Sequence, residues 1–159
     1  SRRGGYNEYK VQCLSKIPLK DIQDSEKKKY REVVDIIVNN NDKLYNLLNK
    51  FQTYLKQKFK LEKLPKKLQN WHELEFGDFI KELNKAIKTN NKQRVKDSLE
   101  EVPTLTKKDE FEWLELFEDN KKKAQDLQTQ ITQTEKTIDT MVYDLYGLTQ
   151  EEREIVENS

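Results

Sequence analysis

Cysteine is almost missing from this chain of 159 residues: Cys13 stands alone. No internal disulfide and no thiolate metal cluster can form within the chain, which suits a reducing cytoplasm and makes Cys13 a small buried side chain. Glycine and proline are also scarce, at four and three residues. That is too few to punctuate an all-β chain with a turn every ten residues or so. Neither G-x-G-x-x-G nor G-x-x-x-x-G-K can be written with those glycines, so no glycine-rich phosphate loop exists. Histidine occurs once, as His72. With no second histidine and no nearby cysteine it offers neither a metal pair nor a catalytic dyad, and it is read as structural. No uncharged apolar run approaches the roughly 18 residues a membrane span needs, and no signal peptide is visible.

What is present is polar and helix-forming. Hydrophobic residues make up 34% and charged residues 37%, with a mean hydropathy of −1.05. An extended helical body with much solvated surface fits this better than an α/β enzyme. The recurring helical period of the apolar residues argues against disorder. The net charge of +1 hides a division. Residues 1–67 hold 17 Lys/Arg against 8 Asp/Glu, a net +9, and residues 68–159 hold 13 against 21, a net −8. A basic half suggests that one end faces a polyanion.

The expected fold is mainly all-α: two long antiparallel coiled-coil helices, a small helical insert and a short N-terminal extended segment. Residues 1–24 have no helical period, carry Gly4-Gly5 and alternate Tyr9, Val11 and Cys13 with polar residues. They read as a turn and one short strand. Pro18 forbids an early helix, and Asp24 or Ser25 supplies a cap for the first long helix, over 25–60. Its heptad seam has Val34, Leu48 and Leu55 at a, and Tyr30, Ile37, Leu44 and Phe51 at d, with one polar gap at Asn41.

Residues 61–106 break at Pro65, Asn90-Asn91 and Pro103. They predict a loop, a helix near 76–88 and a shorter one near 91–101. Thr106 with Asp109 begins the second long helix, over 107–147, whose seam runs Trp113, Phe117, Ala124, Leu127, Ile131, Ile138, Met141 and Leu145. Gly147 ends it, and Thr149 with Glu152 opens a last short helix within 148–159.

Two seams of similar length in one chain suit each other. Setting Asn41 opposite Asn120 pairs a with d throughout and places Leu48 by Trp113. A facing polar pair inside an apolar seam is a register device. The same register brings Ile138, Met141 and Leu145 onto Ile17, Leu19 and Ile22, making the C-terminal cluster a clasp on the leading segment. Seams of this kind can equally pair between two copies, so a homodimer is a candidate partner.

No residue is assigned a catalytic or metal-binding role. The carboxylate pairs Glu100-Glu101 and Glu151-Glu152 lie next to lysines or at helix starts, where solvation and the helix dipole explain them. Nucleic-acid contact is the better possibility. Arg2, Arg3, Lys10, Lys16 and Lys20, interleaved with Tyr6 and Tyr9, are candidate DNA-binding residues, and Lys56, Lys58, Lys60, Lys63, Lys66 and Lys67 form a second basic cluster. Such side chains neutralise phosphates without reading sequence.

The phrase "IDTMVYDLYGLTQEEREIVE", residues 138–157, resembles the C-terminal ending of bacterial restriction-modification adenine-specific DNA methyltransferases of the fused type IIG-like kind. In those enzymes a phrase like ID-x-x-VY-x-LYGLT-x-EE-x-x-IVE closes the polypeptide. "KIPLKDI" (16–22) is similar to the exit of a TaqI-like target-recognition region, and "LQNWHELEFGDFIKEL" (68–83) with "EFEWLELF" (110–117) is similar to their helical insert.

The resemblance implies a C-terminal DNA-recognition and scaffolding segment, inert by itself. The parent enzyme would use S-adenosylmethionine, whereas this chain carries no cofactor loop and no Asn-Pro-Pro-Tyr-like motif. Its partners would be DNA and the catalytic methyltransferase domain in cis. On that reading Tyr143 and Tyr146 either pack within the fragment or dock on the catalytic domain. The chain opens on Ser1, in keeping with a piece of something longer. The alternative is a helical coiled-coil interaction or dimerisation module with no nucleic-acid role.

Overall fold

The computed structural model describes residues 23–158. The expected strand before Pro18, the candidate DNA-binding residues Arg2, Arg3, Lys10, Lys16 and Lys20, and the clasp partners Ile17, Leu19 and Ile22 lie outside the described residues.

The fold is all-α, with no strand among the described residues. In chain order the helices are α1 (Asp24–Lys58), α2 (Lys66–Gln69), a 3-10 turn (Trp71–Glu73), α3 (Phe76–Lys96), α4 (Lys107–Leu145) and α5 (Gln150–Glu157). The described residues fall into two compact units, one of 23–39 with 132–158 and one of 40–131.

Helix boundaries follow local chemistry. The Glu26 and Lys27 amides donate to the Gln23 carbonyl. The first turn therefore starts a residue or two before the expected cap, and Asp24 and Glu26 sit inside it, where negative charge suits the helix dipole. α1, α3 and α4 all end in the same double bond. Leu61 N–H donates to Lys56 O with Lys60 N–H to Gln57 O; Leu99 to Arg94 with Ser98 to Val95; Leu148 to Tyr143 with Gly147 to Asp144. This is the Schellman closure, and it requires a left-handed residue at C′. In so glycine-poor a chain only Gly147 (φ +61°) meets that need without a side chain; Lys60 (φ 52°) and Ser98 (φ 57°) adopt it at a steric cost. Thr106 and Asp109 form the expected capping pair: the Thr106 amide and hydroxyl both donate to Asp109 Oδ2 at 2.7 Å.

The 40–131 unit is built around aromatic rings. Phe51 stacks on Trp71 with centroids 4.1 Å apart, and Phe79 stacks on Phe117 at 4.5 Å. Trp113 meets Phe59, Tyr54 and Phe79. Trp71, Phe79, Phe117, Leu55, Leu68, Leu83 and Ile87 are fully buried. The insert therefore supplies much of this core, with its rings filling the space where α1 and α4 meet. Trp113, expected beside Leu48, instead reaches Tyr54 and Phe59 further along α1, while the Leu48 carbonyl accepts from the Trp71 indole N–H at 3.4 Å.

The expected break at Asn90-Asn91 does not occur. α3 runs unbroken through both residues because their amides are used across the fold instead of against their own backbone. Asn90 Nδ2 donates to Lys60 O at 2.9 Å. Asn91 makes a reciprocal pair with Val102, donating to its carbonyl at 2.8 Å and accepting from its amide at 2.9 Å. Two turns before Asn91, Asn84 Oδ1 accepts from Leu105 N–H at 2.8 Å. Asparagine normally competes with its own helix; here three of them moor the segments before and after α3.

In the other unit, Ile37, Ile138 and Tyr143 are buried, and Tyr30 is half-buried. Burial raises the Tyr30 phenol above its usual value, and the Tyr146 and Asp144 charges push the same way.

Candidate functional site

Among the described residues no group of three or more His, Cys, Asp or Glu side chains is placed to hold a metal ion. His72 is half-buried and set edge-on to Trp71, its ring centroid 5.9 Å away. Glu100, Glu101, Glu151 and Glu152 are exposed, the last two in the first turn of α5. Gly77 lies within α3 and Gly147 closes α4, so neither belongs to a loop that would cradle S-adenosylmethionine. Two other features hold the interest.

The first is the corner between α4 and α5. Gly147 turns the chain, and the Thr149 hydroxyl accepts from Glu152 N–H at 3.3 Å to start α5. Arg153 then closes the corner. Its guanidinium bonds Asp144 Oδ1 at 2.7 Å and the Leu148 carbonyl at 3.2 Å, and it lies over the Tyr143 ring at 5.6 Å. Of the expected clasp residues, Ile138 and Tyr143 are buried and Met141 is half-buried, whereas Leu145 and Tyr146 face solvent. Tyr146, Ile155 and Val156 are exposed by 53, 69 and 51%, leaving an apolar surface on the outside of a braced turn.

The second is the outward face of α3. Lys81, Lys85, Lys88, Lys92 and Lys96 are all exposed. At 100° per residue they fall within an arc of roughly 80°, opposite the buried Phe79, Leu83, Ala86 and Ile87. Among the described residues no ion pair engages any of the five. Lys85, Lys92 and Lys96 also line a groove of about 720 Å³, with Lys63 on its other bank and Glu62, Glu82, Thr89, Asn90 and Gln93 along it. The carboxylate of Glu82 is taken by Lys67 at 3.2 Å. The basic cluster expected over 56–67 thus continues onto α3.

Sequence reasoning missed the stripe because it broke the helix at Asn90-Asn91. The signal was the 4-3-4-4 spacing of the lysines, which becomes a single face only when the helix is continuous.

Asn41 and Asn120 are both half-buried, and the buried asparagine of α1 is Asn40. The Asn120 amide donates to the Leu116 carbonyl of its own helix at 2.7 Å. The buried polar residue of α4 is its neighbour Lys121, whose ammonium lies 3.2 Å from Glu75 Oε1 and 5.9 Å from the centre of the Phe117 ring.

The region with this architecture, residues 23–142, matches the profile of a family described as a domain of unknown function, DUF8810. The chain belongs to that family. No curated protein and no solved structure matches it. The DUF8810 match takes in both long helices almost whole, together with the insert and the lysine face, and it ends at Val142, just before the Tyr143–Arg153 corner.

Proposed function

We propose that this chain is the C-terminal DNA-recognition and scaffolding segment of a bacterial restriction-modification adenine-specific DNA methyltransferase, or of a fused restriction enzyme. It positions the recognition region on DNA and performs no chemistry itself. The observation that carries this reading is the phrase at 138–157. The residues it has in common with the endings of those enzymes have identifiable work in this chain: Tyr143 under Arg153, Asp144 as its ion partner, Gly147 at the left-handed turn and Thr149 as the cap of α5. A motif that builds a stiff corner with Tyr146, Ile155 and Val156 outward suits an end that docks on a neighbouring domain, here the catalytic one. S-adenosylmethionine and the flipped adenine would then belong to that domain.

The exposed Tyr45 and Phe111 (68 and 79%) favour a second reading, a helical interaction or dimerisation module with no role on DNA.

Fluorescence anisotropy of a labelled DNA duplex, at low and at moderate salt, separates the two. The DNA reading expects salt-weakened binding. A chain that leaves the duplex free at low salt, while sedimenting as a dimer, belongs to the second reading.

A further inference from the structure

The outward face of α3 is unusual for a solvated helix. Exposed helical faces commonly alternate charge, because Glu and Lys three or four residues apart attract, and like charges at those spacings repel. Lys81, Lys85, Lys88, Lys92 and Lys96 form four successive like-charged neighbours at those spacings, with no ion pair among the described residues to offset them. Lys96 in the last turn suits the helix dipole, but the successive like-charged pairs repel one another, so a reason for the whole stripe lies outside the helix.

We infer that this lysine stripe, with Lys63 across the adjoining groove, is a contact surface for the phosphate backbone of duplex DNA. The inference rests on the proposed DNA-scaffolding role and assigns it a surface other than Arg2, Arg3, Lys10, Lys16 and Lys20.

Three observations select a phosphate backbone. The lysines run in single file over fifteen residues, roughly 22 Å of helix, and so match a linear, regularly repeating polyanion better than a point ligand. The groove beside them keeps the same sign: four lysines line it against two glutamates, one of which is already bound to Lys67. The opposite face of α3 is sealed into the core through Phe79, Leu83 and Ile87. A helix that lies on a membrane must instead present that apolar face to lipid. The stripe is also held in register, since Asn84, Asn90 and Asn91 fasten α3 to the chain on both sides. Backbone contact of this type positions a protein and reads no bases.

The test compares salt slopes of duplex binding for four forms of the chain: unaltered; Lys81, Lys85, Lys88, Lys92 and Lys96 all changed to Gln; the same five changed to Arg; and Arg2, Arg3, Lys10, Lys16 and Lys20 neutralised. Five phosphates neutralised by the stripe contribute a slope of about −4.5 in log K against log salt, which alone weakens binding roughly 500-fold between about 50 and 200 mM. The glutamine form is expected to lose that share of the slope and the arginine form to keep it. If the glutamine form unfolds more easily than the unaltered chain, the pair Lys85→Gln and Lys92→Gln replaces it, with an expected slope loss of about 1.8.

A glutamine form that binds with an unchanged slope, while the N-terminally neutralised form loses it, overturns the inference and leaves the DNA-scaffolding reading standing. An unaltered chain that ignores DNA at low salt overturns both. Tighter binding to phosphatidylserine vesicles than to duplex at equal salt overturns the inference in favour of a lipid surface.

Discussion

Replacing Asn91 by alanine removes the reciprocal pair with Val102 and should loosen the 40–131 unit out of proportion to the size of the change. Both bonds are short, 2.8 and 2.9 Å, and Asn91 is only 8% exposed. Each neutral hydrogen bond contributes about 1 kcal/mol net, and the Val102 amide and carbonyl are left half-buried with poorer partners, which adds to the loss. Alanine recovers about 0.5 kcal/mol as a better helix former. The net cost is about 2–3 kcal/mol, a fall of roughly 1–2 M in the urea midpoint.

Intrinsic tryptophan fluorescence reads this unit directly, because Trp71 and Trp113 are both buried in its core. A midpoint shift below roughly 0.3 M with an unchanged slope would refute the argument that asparagine side chains hold the flanking segment. Asn91→Asp sharpens the test. It keeps an acceptor for the Val102 amide and sets a second oxygen against the Val102 carbonyl. Only the protonated acid can donate there, so the folded state raises the aspartate pKa above its unfolded value. The variant is therefore least destabilised below the unfolded pKa and loses ground as pH rises through the folded one.

Other expectations follow from the same geometry. Lys60→Gly and Ser98→Gly should each stabilise the 40–131 unit by about 0.5–1 kcal/mol in urea melts, since glycine adopts their positive φ without the Cβ penalty but loses more chain entropy; destabilisation at both sites would contradict the strain assigned to them. Arg153→Ala should release α5. Asp144 is mostly exposed, so the ion pair alone counts for only a few tenths of a kcal/mol, and loss of the Leu148 bond and the Tyr143 face brings the total to about 1 kcal/mol. Amide exchange should accelerate over Gln150–Glu157 while tryptophan fluorescence keeps its midpoint, and unchanged exchange would count against the bracing role. The Thr106 hydroxyl and amide hold the Asp109 carboxyl below its ordinary value. The stabilisation this provides is present above the unfolded pKa and fades as pH falls through the lowered folded one. Thr106→Ala should move the Asp109 titration, followed by carboxyl NMR, back toward 3.8; no movement would deny the hydroxyl that part.

The helical class and the long helices were legible because their apolar residues repeat at threes and fours, and the Thr106–Asp109 and Thr149–Glu152 caps because the bonding groups lie three residues apart. The insert was legible only in part. Residues 61–106 read as a small insert of their own, yet Trp71 stacks on Phe51 and Phe79 on Phe117, contacts set by packing across long stretches of chain. Asn90 and Asn91 read as a break because local propensity ranks asparagine low in helices; their tertiary bonds to Lys60 and Val102 reverse that preference, and with the break went the view of five lysines as one face. The seam pattern puts the polar position of α4 at Asn120, but Asn120 bonds back to Leu116 of its own helix and the buried polar residue is its neighbour Lys121, 3.2 Å from Glu75; no sequence pattern marked that lysine.

The ring cluster also bears on how the chain reaches its fold. Phe51 and Trp71 lie twenty residues apart in sequence, whereas Phe59 and Trp113 lie fifty-four apart, and closing the longer loop first costs about 0.9 kcal/mol more in chain entropy. We expect the insert to break that single long closure into shorter ones, with the end of α1 collapsing on Trp71, Phe79 joining, and α4 arriving at a surface already assembled. In stopped-flow kinetics, truncating Phe51 should therefore slow refolding, while Trp113→Phe should chiefly hasten unfolding. Equal effects on both rates would mean that the two long helices meet before the insert forms. Slowed refolding on truncation of Phe51 would instead make a segment that resembles a loop decorated with short helices the part of the chain that folds first.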